Sequence, residues 1–401
     1  LPIVGEIPEI LRGGGHHLAS HVEIVVAIGL SERVDDALGE LRVRVLEGQI
    51  CEHRARDGMD LEATRQHLRI IALSLIFALA GPSAGSAGQT SEWRAYAADH
   101  AGTKYAPVNQ INKQTVHDLQ VVWRQSTVPT ATRRGNTMRA PSASQNTPLM
   151  ARGRLYISTG LGLVAALNAA TGQVDWVDAP PSTDGTPNRL SASRGVAYWT
   201  DGEGDERIFW GTGNGYMVCV AADTGQPCAD FGPDGSGMVD TMVGVPRLDR
   251  NDRDYLNAML WGVHSPPIVV RDRVIHGSHV ADRRITKEAV PGWVRAWDVR
   301  TGEHAWDFHT VPNSADEFGV DTWGNESWRY SGNGNVWSML AGDNELGYVY
   351  LPTGTVTNDY YGADRPGDNL FSESIIAVDI ETGQRVWHFQ AVHHGLGVAG
   401  V

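Results

Sequence analysis

The chain has 401 residues, a formal charge of −14 and three cysteines. An acidic balance with no basic block excludes nucleic acid and an anionic membrane surface as partners. No C-x-x-C-H occurs, which excludes a covalently attached c-type haem.

Residues 1–58 precede the first methionine, Met59, and read as upstream translated sequence outside any fold. From Met59 the text has a short head with Arg65 and Arg69. An apolar run, Ile70–Ala80, follows, and then G-P-S-A-G-S-A-G. An eleven-residue run is too short to span a bilayer, and the small residues behind it suit cleavage, so residues 59–88 are expected to be a signal peptide. Cleavage after Ala87 or Gly88 would deliver the remainder, 89–401, to the periplasm. No Cys follows the run to take a lipid.

Within 89–401 one phrase recurs. It reads A-L-N-A-A-T-G-Q-V-D-W at Ala166–Trp176, A-W-D-V-R-T-G-E-H-A-W at Ala296–Trp306 and A-V-D-I-E-T-G-Q-R-V-W at Ala377–Trp387. A worn copy at Cys219–Ala229 keeps Thr224 and Gly225 but has Ala221 and Ala229 where the others carry Asn/Asp and Trp. Each copy predicts a strand, a tight turn and a second strand. Asn168, Asp298 and Asp379 can accept from the turn's N–H groups, and the Gly supplies positive φ. The four Thr stand at intervals of 53, 77 and 81 residues, which marks one supersecondary unit used repeatedly.

Matching hairpins lie upstream at Thr147–Thr159 and Ser265–Ser278, with Pro at the strand start, and Leu346–Thr355 reads as a third such strand. Two hairpins per repeat make a four-stranded blade, so the fold class is all-β: a β-propeller with tryptophan-docking repeats. The length and spacing allow about four blades, an incomplete ring. WD40 blades are shorter and end in Trp-Asp, which only Trp306-Asp307 matches. G-T-G-N-G at Gly211–Gly215 sits between strands and reads as a turn, not a dinucleotide loop. Cys219 and Cys228 flank the worn turn, where a disulfide and two free thiols both remain open.

The repeated phrase resembles the docking repeat of the quinoprotein dehydrogenases that bind pyrroloquinoline quinone (PQQ). Further stretches resemble the glucose/quinate-type branch: Glu92–Asn112, R-G-V-A-Y-W (Arg194–Trp199), G-N-G-N-V-W (Gly332–Trp337), Leu351–Gly362 and W-H-F-Q-A-V-H-H (Trp387–His394). The five-helix membrane anchor of some members has no counterpart here. The resemblance implies a ring of eight blades, of which this text looks like an N-terminal part.

PQQ is a flat ortho-quinone with three carboxylates. Its chemistry needs ring-clamping faces, a divalent cation of the Ca²⁺ or Mg²⁺ kind on hard oxygen ligands, and a base for the alcohol proton. The resemblance places the ring-stacking residue at Trp337. It puts a cofactor-side and metal-side carboxylate at Asp282, whose other reading is a solvated turn residue beside Arg283 and Arg284. It also puts cofactor contacts at Thr357 and Gln145. Trp199 stands where glucose-type members have His and reads as an aromatic cap over the quinone, or else as a core residue. His393 and His394, adjacent on a strand, point to opposite faces and cannot chelate one metal together. The family's base is the Asp of an L-W-D segment just after His-His. Val398 occupies its place, so no catalytic residue is assigned and the text departs from the pattern after about 396.

The implied function is periplasmic oxidation of a sugar, polyol or cyclic alcohol, with electrons passing to a membrane quinone or a separate cytochrome. This chain itself is expected to be an inactive fragment. The alternative is a non-catalytic PQQ-repeat propeller scaffold of the outer-membrane assembly type.

Overall fold

Short β-branched and aromatic runs separated by Gly, Asp and Thr turns give short strands, and the computed structural model arranges them in four four-stranded antiparallel sheets. It describes residues 92–126, 145–159, 163–178, 194–246, 261–280, 286–358 and 360–395. The expected upstream segment and signal peptide lie outside them. The chain divides into two units, Leu1–Ser83 and Ala84–Val401, and everything described belongs to the second. Among the described residues no helix is long and apolar enough to cross a membrane.

The first sheet holds β1 (Leu149–Ala151), β2 (Arg154–Ser158), β3 (Val164–Asn168) and β4 (Val174–Asp178) in sequential order. The second holds β5 (Ala197–Thr200), β6 (Glu206–Gly211), β7 (Tyr216–Ala221) and β8 (Met238–Asp240). A two-stranded ribbon of β9 (Trp261–Gly262) and β12 (His279–Val280) accompanies the third sheet. That sheet is β10 (Ile268–Val270), β11 (Arg273–His276), β13 (Val294–Asp298) and β14 (His304–Phe308). The fourth is β15 (Ala341–Asp343), β16 (Tyr348–Pro352), β17 (Ser374–Asp379) and β18 (Arg385–Gln390). These are the expected propeller blades, and the ring is not closed. One expectation shifts: the strand in Leu346–Thr355 is β16, the second of its blade, and β15 is the entering strand.

Alternation decides which blade each side chain meets. Along β5 and the residue before it, Val196 and Tyr198 face the first blade while Ala197 and Trp199 face the third. Three apolar clusters therefore cement blade to blade. The cluster between the third and fourth buries Ile275, Ala296, Trp306 and Phe308 against Val349, Leu351, Ile376 and Val378.

The Thr-Gly turns complete these joints. Asn168, Asp298 and Asp379 each accept from the two N–H groups that follow in their turns, at 2.9–3.1 Å. A tryptophan from the neighbouring blade then lies on the turn. Trp176 donates to the Ala222 carbonyl at 3.1 Å, and Trp306 to that of Ile380 at 2.7 Å. Gly225 and Gly383, both at φ +70°, lie so close beneath these rings that a Cβ would fall 2.6 and 2.7 Å from ring carbons. Trp123 docks on the first blade in the same way, donating to Ala169 at 3.0 Å over Gly172.

A strap from Glu92 to Lys104 ties the blades together on their inner strands. Trp93 exchanges two backbone hydrogen bonds of 2.8 Å with Met150 of β1, and Gly342 of β15 donates to His100 at 2.9 Å.

Candidate cofactor site

The segments leading into the second, third and fourth blades converge on one side chain, Arg194. It precedes β5, and its backbone N–H donates to the His264 carbonyl at 3.0 Å. Its guanidinium donates to Gln145 Oε1 at 2.9 Å, Ser265 Oγ at 3.1 Å and the Trp337 carbonyl at 2.8 Å. It also lies 5.0 Å from the centre of the Trp337 ring. Burial pulls this guanidinium below its ordinary pKa. All of its hydrogen-bond partners are neutral, and among the described residues no carboxylate pairs with it.

Trp337 itself is 52% exposed. Its segment is held by pairing with the next stretch. Gly354 donates to the Asn335 carbonyl at 2.9 Å, Gly334 to Thr355 at 3.3 Å and Thr357 to Gly332 at 2.9 Å. Asn335, nearly buried, donates from Nδ2 to the Ser278 carbonyl at 2.9 Å. Glu373 closes the far side, accepting from Thr355 Oγ1 at 3.0 Å.

Below Arg194 two imidazoles stack. His264 and His279 have ring centres 4.4 Å apart at an interplanar angle of 12°. Burial, then His279 and Arg194, push the His264 pKa down to about 3, so the ring is neutral.

The structure thus brings Gln145 and Trp337 together on one cation. Thr357 is buried at the opposite end of the paired stretch from Trp337. Asp282 and Val398 lie outside the described residues. Among the described residues no group of three or more His, Cys, Asp or Glu is placed to hold a metal ion. Trp199 lies in a blade joint. It is 6% exposed in the joint between second and third blades, donates to Asp272 Oδ1 at 3.2 Å, and lies 4.7 Å from the Arg300 guanidinium. The alternation of V-A-Y-W puts it on the blade-facing side, so its core reading is the one realised. His393 and His394 lie beyond the end of β18 rather than on it, with His394 at φ +56°. They still part company: His393 reaches Asp368 at 3.6 Å, and His394 Nδ1 meets the Gly367 carbonyl at 2.8 Å.

Arg194, Ser265, Asn335 and the histidine pair were not singled out from sequence. Arg194 opens the R-G-V-A-Y-W stretch, so its segment was legible while its role was not.

A flat, half-exposed indole beside a cation that no carboxylate among the described residues pairs with suits a planar poly-anion. The family described as glucose/ethanol/alcohol dehydrogenase, PQQ β-propeller domain, matches residues 93–397. The chain belongs to this PQQ β-propeller family. Quinoprotein glucose dehydrogenase A of Acinetobacter calcoaceticus is 31% identical over 328 residues, covering 76% of this chain and 38% of the relative. The dehydrogenase subunit of the alcohol dehydrogenase (quinone) of Gluconobacter oxydans strain 621H is 28% identical over 364 residues, covering 82% and 43%. Among solved structures, the quinohemoprotein alcohol dehydrogenase ADHIIG from Pseudomonas putida HK5 superposes with a TM-score of 0.59 at 26% identity, covering 76% of this chain and 41% of that one. The chain therefore spans about two fifths of the length of these relatives.

PQQ fits the residues present. Its ring system matches the open face of Trp337, and its carboxylates match the uncompensated charge of Arg194.

Proposed function

We propose that this chain forms the quinone-binding part of a periplasmic PQQ-dependent dehydrogenase that oxidises a sugar, polyol or cyclic alcohol. Electrons would leave to a membrane quinone or a separate cytochrome. The observation that carries the reading is Arg194, a half-buried cation with neutral partners set against the exposed ring of Trp337.

When bound, PQQ supplies the ortho-quinone that accepts the substrate's two electrons, with Ca²⁺ or Mg²⁺ as a Lewis acid. Trp337 would hold the ring plane. Arg194 would hold a carboxylate, kept in place by Gln145 and Ser265, and Asp282 would supply a hard oxygen ligand for the cation. His264, held neutral by burial, adds no positive charge beside Arg194. No proton acceptor is assigned among these residues.

Titration of PQQ into the protein with Ca²⁺, followed by tryptophan fluorescence, tests this. Binding is expected, with Trp337→Ala weakening it roughly tenfold, the loss of one good aromatic stacking contact. No binding, or binding indifferent to Trp337, would move the reading to a non-catalytic propeller scaffold.

A further inference from the structure

The joint between the second and third blades is built differently from its neighbours. At the other three docked turns a tryptophan N–H meets the carbonyl two residues before the Thr. On the third blade that carbonyl belongs to Val299, and it accepts instead from the Arg207 guanidinium at 3.2 Å, which also reaches the Arg300 carbonyl at 2.9 Å. The position over Gly302, filled elsewhere by an indole, is taken by Phe231, Gly232 and Val239. A Cβ on Gly302 would fall 2.8 Å from the Gly232 nitrogen and 3.3 Å from a Phe231 ring carbon.

Phe231 and Gly232 are not on a strand. They lie in the stretch between Ala221, the end of β7, and Met238, the start of β8. Its anchor is the Cys219–Cys228 disulfide, whose Cα atoms are 5.6 Å apart. Cys228 donates to the Cys219 carbonyl at 3.1 Å, Phe231 to that of Cys228 at 3.0 Å, and Gly232 to that of Thr301 at 2.9 Å. A chain of three backbone bonds thus runs from the disulfide to the neighbouring blade's turn. Phe231 is fully buried and meets Phe209 edge-on at 5.5 Å.

We propose that the Cys219–Cys228 disulfide replaces the missing docking tryptophan, making this joint a redox-sensitive lock. Reduction by a dithiol adds two electrons and two protons, breaks the S–S bond and leaves two thiols, while the dithiol becomes a disulfide. The stretch 228–232 then loses its covalent tie, and Phe231 and Gly232 are held on the Thr301-Gly302 turn only by packing, the Gly232–Thr301 hydrogen bond and the Arg207–Asp230 ion pair at 2.6 Å. The neighbouring joints, fastened by Trp176 and Trp306, contain no such bond. The lock lies within the second and third blades, whose leading segments carry Arg194 and Ser265, so loosening it frees one wall of the cofactor site from the next.

Hydrogen exchange read by mass spectrometry on the oxidised and the dithiol-reduced full chain tests this, with Cys219→Ala/Cys228→Ala as a second sample. Peptides covering 226–240 and 299–303 are expected to exchange at least tenfold faster once reduced. Peptides covering 380–387, at the Trp306 joint, should keep their rates. Unchanged exchange overturns the proposal, as does acceleration spread evenly over all four blades. Thiol labelling that finds both cysteines free in the purified oxidised protein overturns it as well.

Discussion

Arg194 carries a charge that its hydrogen-bond partners do not neutralise, which makes it the most informative residue to replace. Arg194→Gln should weaken PQQ binding by about 10–100-fold, the loss of a hydrogen bond to a charged group, while leaving the melting temperature within a few degrees. Arg194→Lys should recover only part, because an ammonium cannot hold Gln145, Ser265 and a carboxylate in one plane. Equal affinity in all three proteins, measured by titration, would remove Arg194 from the site. His276 makes a different prediction. It is completely buried, its Nε2 accepts from Trp297 Nε1 at 3.1 Å, and Nδ1 faces the Gly277 carbonyl at 2.9 Å. Burial pushes its pKa down to about 4, and His264 lies lower still. Below the ordinary histidine pKa of 6.5 the unfolded chain takes up protons that the native protein refuses, so these groups lose stability as pH falls from about 6.5 towards 4. Urea unfolding at pH 7 and pH 5 should differ by about 2 kcal/mol per buried histidine; equal midpoints would show both rings protonated in the native state. At this scale the sequence was partly readable. Trp337 could be found because its segment is distinctive. Arg194 was passed over because nothing local marks an arginine whose partners lie 49, 71 and 143 residues away. Trp199 reads from sequence as cap or core, although V-A-Y-W alternation already sets it on the same side as Ala197.

Blades obey a simpler rule, because a turn that needs Gly and a ring that needs a flat surface leave a visible phrase. The Asx residues and the Thr-Gly pairs do in the structure what the spacing implies, as do Trp176 and Trp306. The strand irregularity also recurs at equivalent places: Ala166/Leu167, Ala296/Trp297 and Ala377/Val378. What the phrase could not tell is how a blade manages without its Trp, since Arg207 and Phe231 come from outside the phrase and the pairing of its two cysteines was left open. The rule also assigns different energies to identical residues. Trp306 is 6% exposed on the Gly383 turn, whereas Trp387, the same letter of the repeat, is 44% exposed. Trp306→Ala should cost about 3–5 kcal/mol, the range for a buried aromatic. Trp387→Ala should cost less than about 1 kcal/mol, as surface changes do. Chemical denaturation of the two variants checks this. Comparable losses would mean that the fourth blade's Trp is docked in solution.

Over the whole molecule, the four described blades and the Glu92–Lys104 strap form an arc whose inner segments bring Arg194, Ser265 and Trp337 to a common place. That convergence is a property of the arc. It depends on segments that precede three different blades, which is why a reading residue by residue recovers the fold sooner than the site. The central claim is that this place holds PQQ. A crystal structure of the protein grown with PQQ and Ca²⁺ tests it most directly. The account predicts the quinone's ring system against Trp337 with a carboxylate on the Arg194 guanidinium. Quinone density elsewhere on the molecule, or a Trp337–Arg194 pair unchanged at saturating PQQ, would contradict it.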